Sequence, residues 1–261
     1  MMADSLTEIA NNCGTDKGTI GPSTVHGGHN YSDIYEAYLG ALRNERVSIL
    51  EIGIGLKRKD DPRIAHGRNS QGGGSIKMWD SYFSSGKIYG VDIVDGSFLS
   101  SDTVTILCAD QSNEASLREL KSKLENIAFD VIIDDGSHVP DHQQMTLGVL
   151  FPLLKKGGVY FIEDLYACGY GDPIKNGSGT YSDRARHTRS VLKSFVSTGA
   201  FGDPHRIIDP DLLAESISSV HFHVPLQRIN KRAAMSRIWG GRNKIIEFQA
   251  DSELLVAIRK K

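Results

Sequence analysis

The 261-residue sequence predicts an α/β protein, with a mostly parallel sheet flanked by helices, an antiparallel edge and an N-terminal helical cap. Three observations carry this. From residue 46 onward, short β-rich apolar runs alternate with helical patterns, the signature of βαβ units. The tail holds strand-like runs with little room for a crossover helix between the last two, which favours antiparallel pairing. Residues 1–45 contain no such run and read as helical pieces joined by a Gly-rich loop.

The elements follow in order. Cap helices fall in "SLTEIANNC" and "YSDIYEAYLGALRN". Strands are expected in "RVSILEIGIG", "KIYGVDIV", "VTILCAD", "FDVIIDD" and "GVYFIEDL", each rich in apolar and β-branched residues. Between them lie helices in "SIKMWDSYFSS", in "NEASLRELKSKLEN" with Asn113 as N-cap, and in "PDHQQMTLGVLFPLLKKGG", where the glycine pair supplies a stop. A further helix is expected in "YSDRARHTRSVLKSFVSTGAF", and tail strands in "SVHFHV", "KIIEFQ" and "LLVAIRKK". No internal repeat or low-complexity tract is present, so residues 46–261 are expected to form one globular domain capped by 1–45.

Composition narrows the function. A net charge of -2 leaves no global attraction to nucleic acid or to an anionic membrane. No apolar run approaches the ~18 residues of a spanning helix, so no membrane insertion is expected. The start lacks the basic-then-apolar profile of a signal peptide. Cys13, Cys108 and Cys168 are odd in number and show no CxxC spacing. A soluble, cytoplasmic protein is the expectation.

In an open α/β sheet, ligands bind outside the carboxyl ends of the strands. Each of the first five strands ends at or near an acid: Glu51 ahead of Gly53 and Gly55, then Asp92, Asp110, Asp134 with Asp135, and Glu163 with Asp164. Helix capping accounts for one or two of these, Asp110 first among them, but not for all. The pairs Asp134–Asp135 and Glu163–Asp164 on neighbouring strands would crowd their carboxylates, and like charges that close raise pKa values or demand a cation. An all-oxygen set without cysteine suits Mg2+, with Ca2+ or Mn2+ as alternatives. A solvated acidic rim is the plainer reading.

The turn "EIGIG" lacks the third glycine of the dinucleotide fingerprint, since residue 58 is Arg58, and Asp92 lies too far on for the ribose acid of a dehydrogenase. His138 and His142 have the spacing of a zinc helix, but the glutamate of HExxH is missing and Pro140 falls between them. A helix that starts at Pro140 leaves His138 in the loop beside the acids, where carboxylates favour a protonatable base. A structural histidine is the competing reading. His142 then belongs to a helix surface, and His221 and His223 to a strand face. The loop from Lys57 to Gly74 reads as solvated, with substrate gating as the alternative.

"GTDKG", "ILEIGIG", "GGGSIKMWDSYF", "IYGVDI", "ADQS" and "DDGSH" through "LFPLLKKGGVYFIEDL" occur in the order found in S-adenosylmethionine-dependent sugar O-methyltransferases of the macrocin and mycinamicin type. The sequence resembles that family over about residues 13–166, and the interval from DDGSH to IEDL is the specific part. The resemblance implies a Rossmann-like class I methyltransferase fold with a seven-stranded sheet. It also implies S-adenosyl-L-methionine and Mg2+ as cofactors and a sugar-containing acceptor as partner. Asp135, Glu163 and Asp164 would ligate the ion, and His138 would be the general base. Asp134 and the turn of Glu51 and Gly53 would sit against the methionine part. Asp92 would hold the ribose hydroxyls, and Asp110 with Gln111 would flank the adenine. Thr15, Lys17 and Ser75 fall in motifs near the cofactor. Larger members carry a long N-terminal auxiliary domain without a counterpart in this sequence, and a homo-oligomer is left open.

An aliphatic hydroxyl stays protonated at neutral pH, so methyl transfer to it needs a Lewis acid and a base. The same ligands would also suit a catechol, and the fold alone would suit an amine acceptor or a carbohydrate-binding protein without chemistry.

Overall fold

The computed structural model describes residues 4–20, 28–57, 72–165, 186–203, 205–230, 245–249 and 254–261. Most of the Lys57–Gly74 loop, Cys168 and the start of the segment expected to be helical before Thr188 lie outside them.

Five strands, β1 (Ser48–Ile52), β2 (Lys87–Asp92), β3 (Val104–Cys108), β4 (Phe129–Asp134) and β5 (Leu154–Ile162), run parallel in the order β3-β2-β1-β4-β5. The order reverses between β1 and β4. At that switch point the crossovers diverge to opposite sides and leave a crevice. β6 (Ile217–His223) follows at the far edge, then β7 (Leu226–Asn230), β8 (Ile245–Gln249) and β9 (Leu255–Lys260). β9 inserts between β5 and β6 and runs antiparallel to both, which completes seven strands. The expected antiparallel pairing therefore lies at this side of the sheet, with β9 one place in from the edge. The run "KIIEFQ" is a strand, but β8 pairs with β7 in a separate ribbon.

Helices cover both faces. α1 (Leu6–Cys13) starts with a capping box: the Ser5 hydroxyl accepts from Glu8 N at 3.3 Å, and Glu8 Oε2 accepts from Ser5 N at 2.8 Å. α1, α2 (Ser32–Leu39) and α3 (Gly74–Tyr82) bury Leu6, Tyr35 and Trp79 against Ile49, Val131 and Phe161 on one face. α4 (Glu114–Leu124), α5 (Pro140–Leu150), α6 (Thr188–Thr198) and α7 (Pro210–Ser216) cover Leu50, Ile132 and Tyr160 on the other. Ile49 and Leu50, and Val131 and Ile132, divide between the two faces as strand alternation requires. Asn113 caps α4, its Oδ1 accepting from Ala115 N at 2.9 Å and Ser116 N at 3.2 Å, as expected.

One boundary differs from expectation. α5 stops at Leu150 and a 3-10 turn spans Phe151–Leu153, so "LLKKGG" does not continue the helix. Pro152 has no N–H to donate and its ring clashes with the preceding turn, which is the actual stop. The glycine pair sits inside β5, where Gly157 at φ 74° lets the register against β4 shift between Phe129 and Val131.

Candidate active site

A cavity of about 800 Å3 opens at the carboxyl ends of β1 to β5, within the range of cofactor clefts. Gly53 turns β1 away at φ 82°, and a Cβ there would lie 2.2 Å from Asp135 O and 2.4 Å from Gly136 Cα. Only glycine lets the β1 and β4 turns pass this closely. Asp92 then shapes the loop: its Oδ2 accepts from Ile54 N at 3.2 Å and Leu56 N at 3.1 Å, and its Oδ1 from Val94 N at 3.0 Å. Asp110 does not cap α4. Its Oδ1 accepts from the Ser112 hydroxyl at 2.6 Å and from Ser112 N at 2.8 Å, which holds the carboxyl below the usual range. Gln111 bridges two turns, donating to Asp134 Oδ1 at 2.7 Å and accepting from Ser137 N at 2.8 Å.

The expected residues divide into two shells by position. Thr15, Gly53, Ser75, Asp92, Asp110, Gln111, Asp135, His138 and Asp164 line the cavity. Lys17, Glu51, Asp134 and Glu163 are buried behind its wall. The split follows from chain geometry, because Asp134 and Asp135, like Glu163 and Asp164, are successive residues whose side chains diverge.

Behind the wall, Lys17 Nζ donates to Asp135 Oδ2 at 2.5 Å and Glu163 Oε1 at 2.7 Å, and forms an ion pair with Glu51 Oε1 at 3.2 Å. Burial opposes the ammonium charge, but Asp135, Glu163 and Glu51 outweigh it and hold Lys17 well above the usual range. One cation does not balance so many acids. Burial pushes Glu51 up to about 7 against the pull of Lys17, and Asp134 up to about 7 against its bonds to Gln111 and Gly136. Burial also raises Asp135 and Glu163. Asp134 Oδ2 has no hydrogen-bond partner among the described residues.

In front of the wall, one donor atom each of Asp135, His138 and Asp164 converge to within 4.8 Å of one another. Glu163 is outside this group because its carboxylate is taken by Lys17 and by the Tyr35 hydroxyl. The expected ligand Glu163 thus lies next to this group, at the back of the wall, while His138 joins Asp135 and Asp164 at its front. His138 (φ 58°) and Asp164 (φ 50°) both occupy the left-handed region, a cost of order 1–3 kcal/mol each that surrounding contacts sustain. His138 Nε2 lies 3.8 Å from Asp164 Oδ2, and Tyr31 donates to Asp164 Oδ1 at 2.5 Å. Burial alone would raise Asp164, but His29, His138 and Tyr31 outweigh it and lower its pKa. α5 begins at Pro140, so His138 stays in the loop as expected, and His142 Nδ1 meets the Ser137 hydroxyl at 2.8 Å.

Sequence reading missed Tyr31, Tyr35 and His29. The tyrosine spacing at positions 31, 35 and 38 was the available signal, since it sets all three on one helical face.

The seven-stranded sheet and its cleft define a Rossmann-like methyltransferase architecture. MycE methyltransferase of mycinamycin biosynthesis, solved with Mg and SAH, superposes at a TM-score of 0.68 with 23% identity, covering 99% of this chain and 55% of that one. No protein-family profile matches the chain. The 8-demethyl-8-alpha-L-rhamnosyl tetracenomycin-C 2'-O-methyltransferase of Streptomyces olivaceus is 37% identical over 207 residues, 78% of this chain and 51% of its own length. The mycinamicin VI 2''-O-methyltransferase of Micromonospora griseorubida is 34% identical over 199 residues, 75% of this chain and 46% of its own. The chain's kinship is therefore with the sugar O-methyltransferases of the macrocin and mycinamicin type, and it spans about half the length of the curated relatives it matches.

Proposed function

We propose that the chain is an S-adenosylmethionine- and Mg2+-dependent O-methyltransferase acting on a sugar hydroxyl of a glycosylated natural product. The observation that carries this is one cavity joining the glycine turn of β1 to Asp135, His138 and Asp164. The names of the relatives point to the same reaction, and MycE was solved with Mg and SAH.

The donor set fits a hard divalent ion. Asp135 and Asp164 present carboxylate oxygens at the cavity wall beside acids that burial has pushed up, where a cation relieves the repulsion. Asp135 and Asp164, with Glu163 beside them, would be the ligands, and the ion's oxygen preference frees His138 for proton transfer. When bound, Mg2+ supplies Lewis-acid polarisation of the acceptor oxygens. His138 Nδ1 is buried, so Nε2 receives the proton that the hydroxyl loses as its oxygen gains the methyl group. Asp164, 3.8 Å away, steadies the imidazolium that results. Asp92 fixes the glycine loop, and Asp110 and Gln111 wall the far end of the cofactor cleft.

The test is label transfer from methyl-labelled S-adenosylmethionine to a panel of glycosides, catechols and amines, with Mg2+ or with EDTA. Label should appear on sugar oxygen only with Mg2+. Transfer confined to catechol or amine, or none to any acceptor, would refute the proposal.

A further inference from the structure

The N-terminal segment does more than cover the sheet. Cys13, Gly14, Thr15 and Asp16 line the cavity, and the next residue, Lys17, is fully buried with its ammonium among Asp135, Glu163 and Glu51. Lys17, like Glu51 and Asp134, is an expected cofactor residue whose side chain lies behind the cavity wall. Its backbone is pinned at both sides, because Asp16 O accepts from His29 N at 2.6 Å and Lys17 O from Ser32 N at 2.9 Å. The helix that follows donates Tyr31 to Asp164 and Tyr35 to Glu163. Asp135, Glu163 and Asp164, just past the ends of β4 and β5, thus each have a partner from this segment, and the same segment forms one wall of the cofactor cleft.

We propose that Lys17 is a positioning residue that assembles the cofactor wall and the acid cluster together, so that S-adenosyl cofactor and divalent ion bind with positive coupling. The inference rests on the methyltransferase reading. Ordering residues 13–16 around a ligand seats Lys17. Seated, Lys17 holds the carboxylates of Asp135 and Glu163 side by side at the ends of β4 and β5. Linkage makes the effect reciprocal: whatever the ion adds to cofactor affinity, the cofactor adds to ion affinity.

Calorimetric titration with S-adenosylhomocysteine, in EDTA and in Mg2+, reads the coupling directly without turnover. The intact chain should bind at least about fivefold more tightly with Mg2+, and in Lys17→Met the ratio should fall to about one. A ratio near one in the intact chain, or an undiminished ratio in Lys17→Met, overturns the proposal. Should that variant not fold, hydrogen exchange on the unmodified chain decides. Mg2+ alone must slow exchange across residues 13–20, and unchanged exchange there overturns it. Absence of any S-adenosylhomocysteine binding removes the methyltransferase reading and this inference together, whereas binding without metal coupling removes this inference alone.

Discussion

Replacing Asp134 with asparagine isolates the electrostatic strain behind the cavity wall. The side chain is buried, and its Oδ1 accepts from Gln111 and from Gly136 N at 3.3 Å while Oδ2 is unpartnered among the described residues. Asparagine preserves both accepted bonds and removes the charge. Burial lifts the carboxyl from 3.8 to about 7, so the folded chain holds a proton there that the unfolded chain releases. The sign follows: stability from this group is present below about pH 4 and is lost as pH rises to 7. That gap corresponds to about 4 kcal/mol above pH 7. Asp134→Asn should therefore match the parent near pH 4, gain about 1.4 kcal/mol per pH interval, and level off above 7. Urea unfolding in EDTA across this range, with the m-value checked for constancy, measures it. A pH-independent difference, or a variant less stable than its parent at about pH 8, would refute the reasoning.

Three further outcomes are expected. His138→Ala should lower kcat by about 10^2- to 10^4-fold, as for loss of a general base, with Mn2+ affinity by electron paramagnetic resonance nearly unchanged; lost Mn2+ binding would make the imidazole a ligand instead. EDTA should abolish turnover and Mg2+ restore it, and Asp164→Asn should weaken Mn2+ binding by at least about tenfold, whereas unaltered binding would remove Asp164 from the ion site. Gly53→Ala should destabilise the chain by more than about 1 kcal/mol, since it adds a Cβ at positive φ against Asp135 O, and a neutral thermal shift would contradict that contact.

The parallel core was legible because its central strands β1 and β4 are buried along nearly their whole length, and each of the five runs is apolar toward its carboxyl end, where an acid follows. The end of α5 was not, because Gly157–Gly158 resembles a helix stop and only a strand partner shows it to be an irregularity within β5. Among the site residues, the divergence of Asp134 from Asp135 was available from alternation alone. Lys17 was not: its partners Asp135 and Glu163 lie 118 and 146 residues away, and a local motif states neighbours along the chain, not the side to which a side chain folds. Likewise the spacing in "YSDIYEAYLGALRN" groups its tyrosines but does not say that Tyr31 and Tyr35 end on Asp164 and Glu163, just past β5.

The position of β9 has a consequence for biosynthesis. β5 and β6 both leave the ribosome before Leu255–Lys260, yet neither touches the other in the finished sheet except through that late segment. During translation β6 must wait without a neighbour, an open strand edge being a template for stray pairing. Frameshifts or stop codons just upstream of Leu255 should consequently leave β5 with an uncovered edge and send the nascent product to aggregates or proteases, although almost every residue around the cleft has already been made.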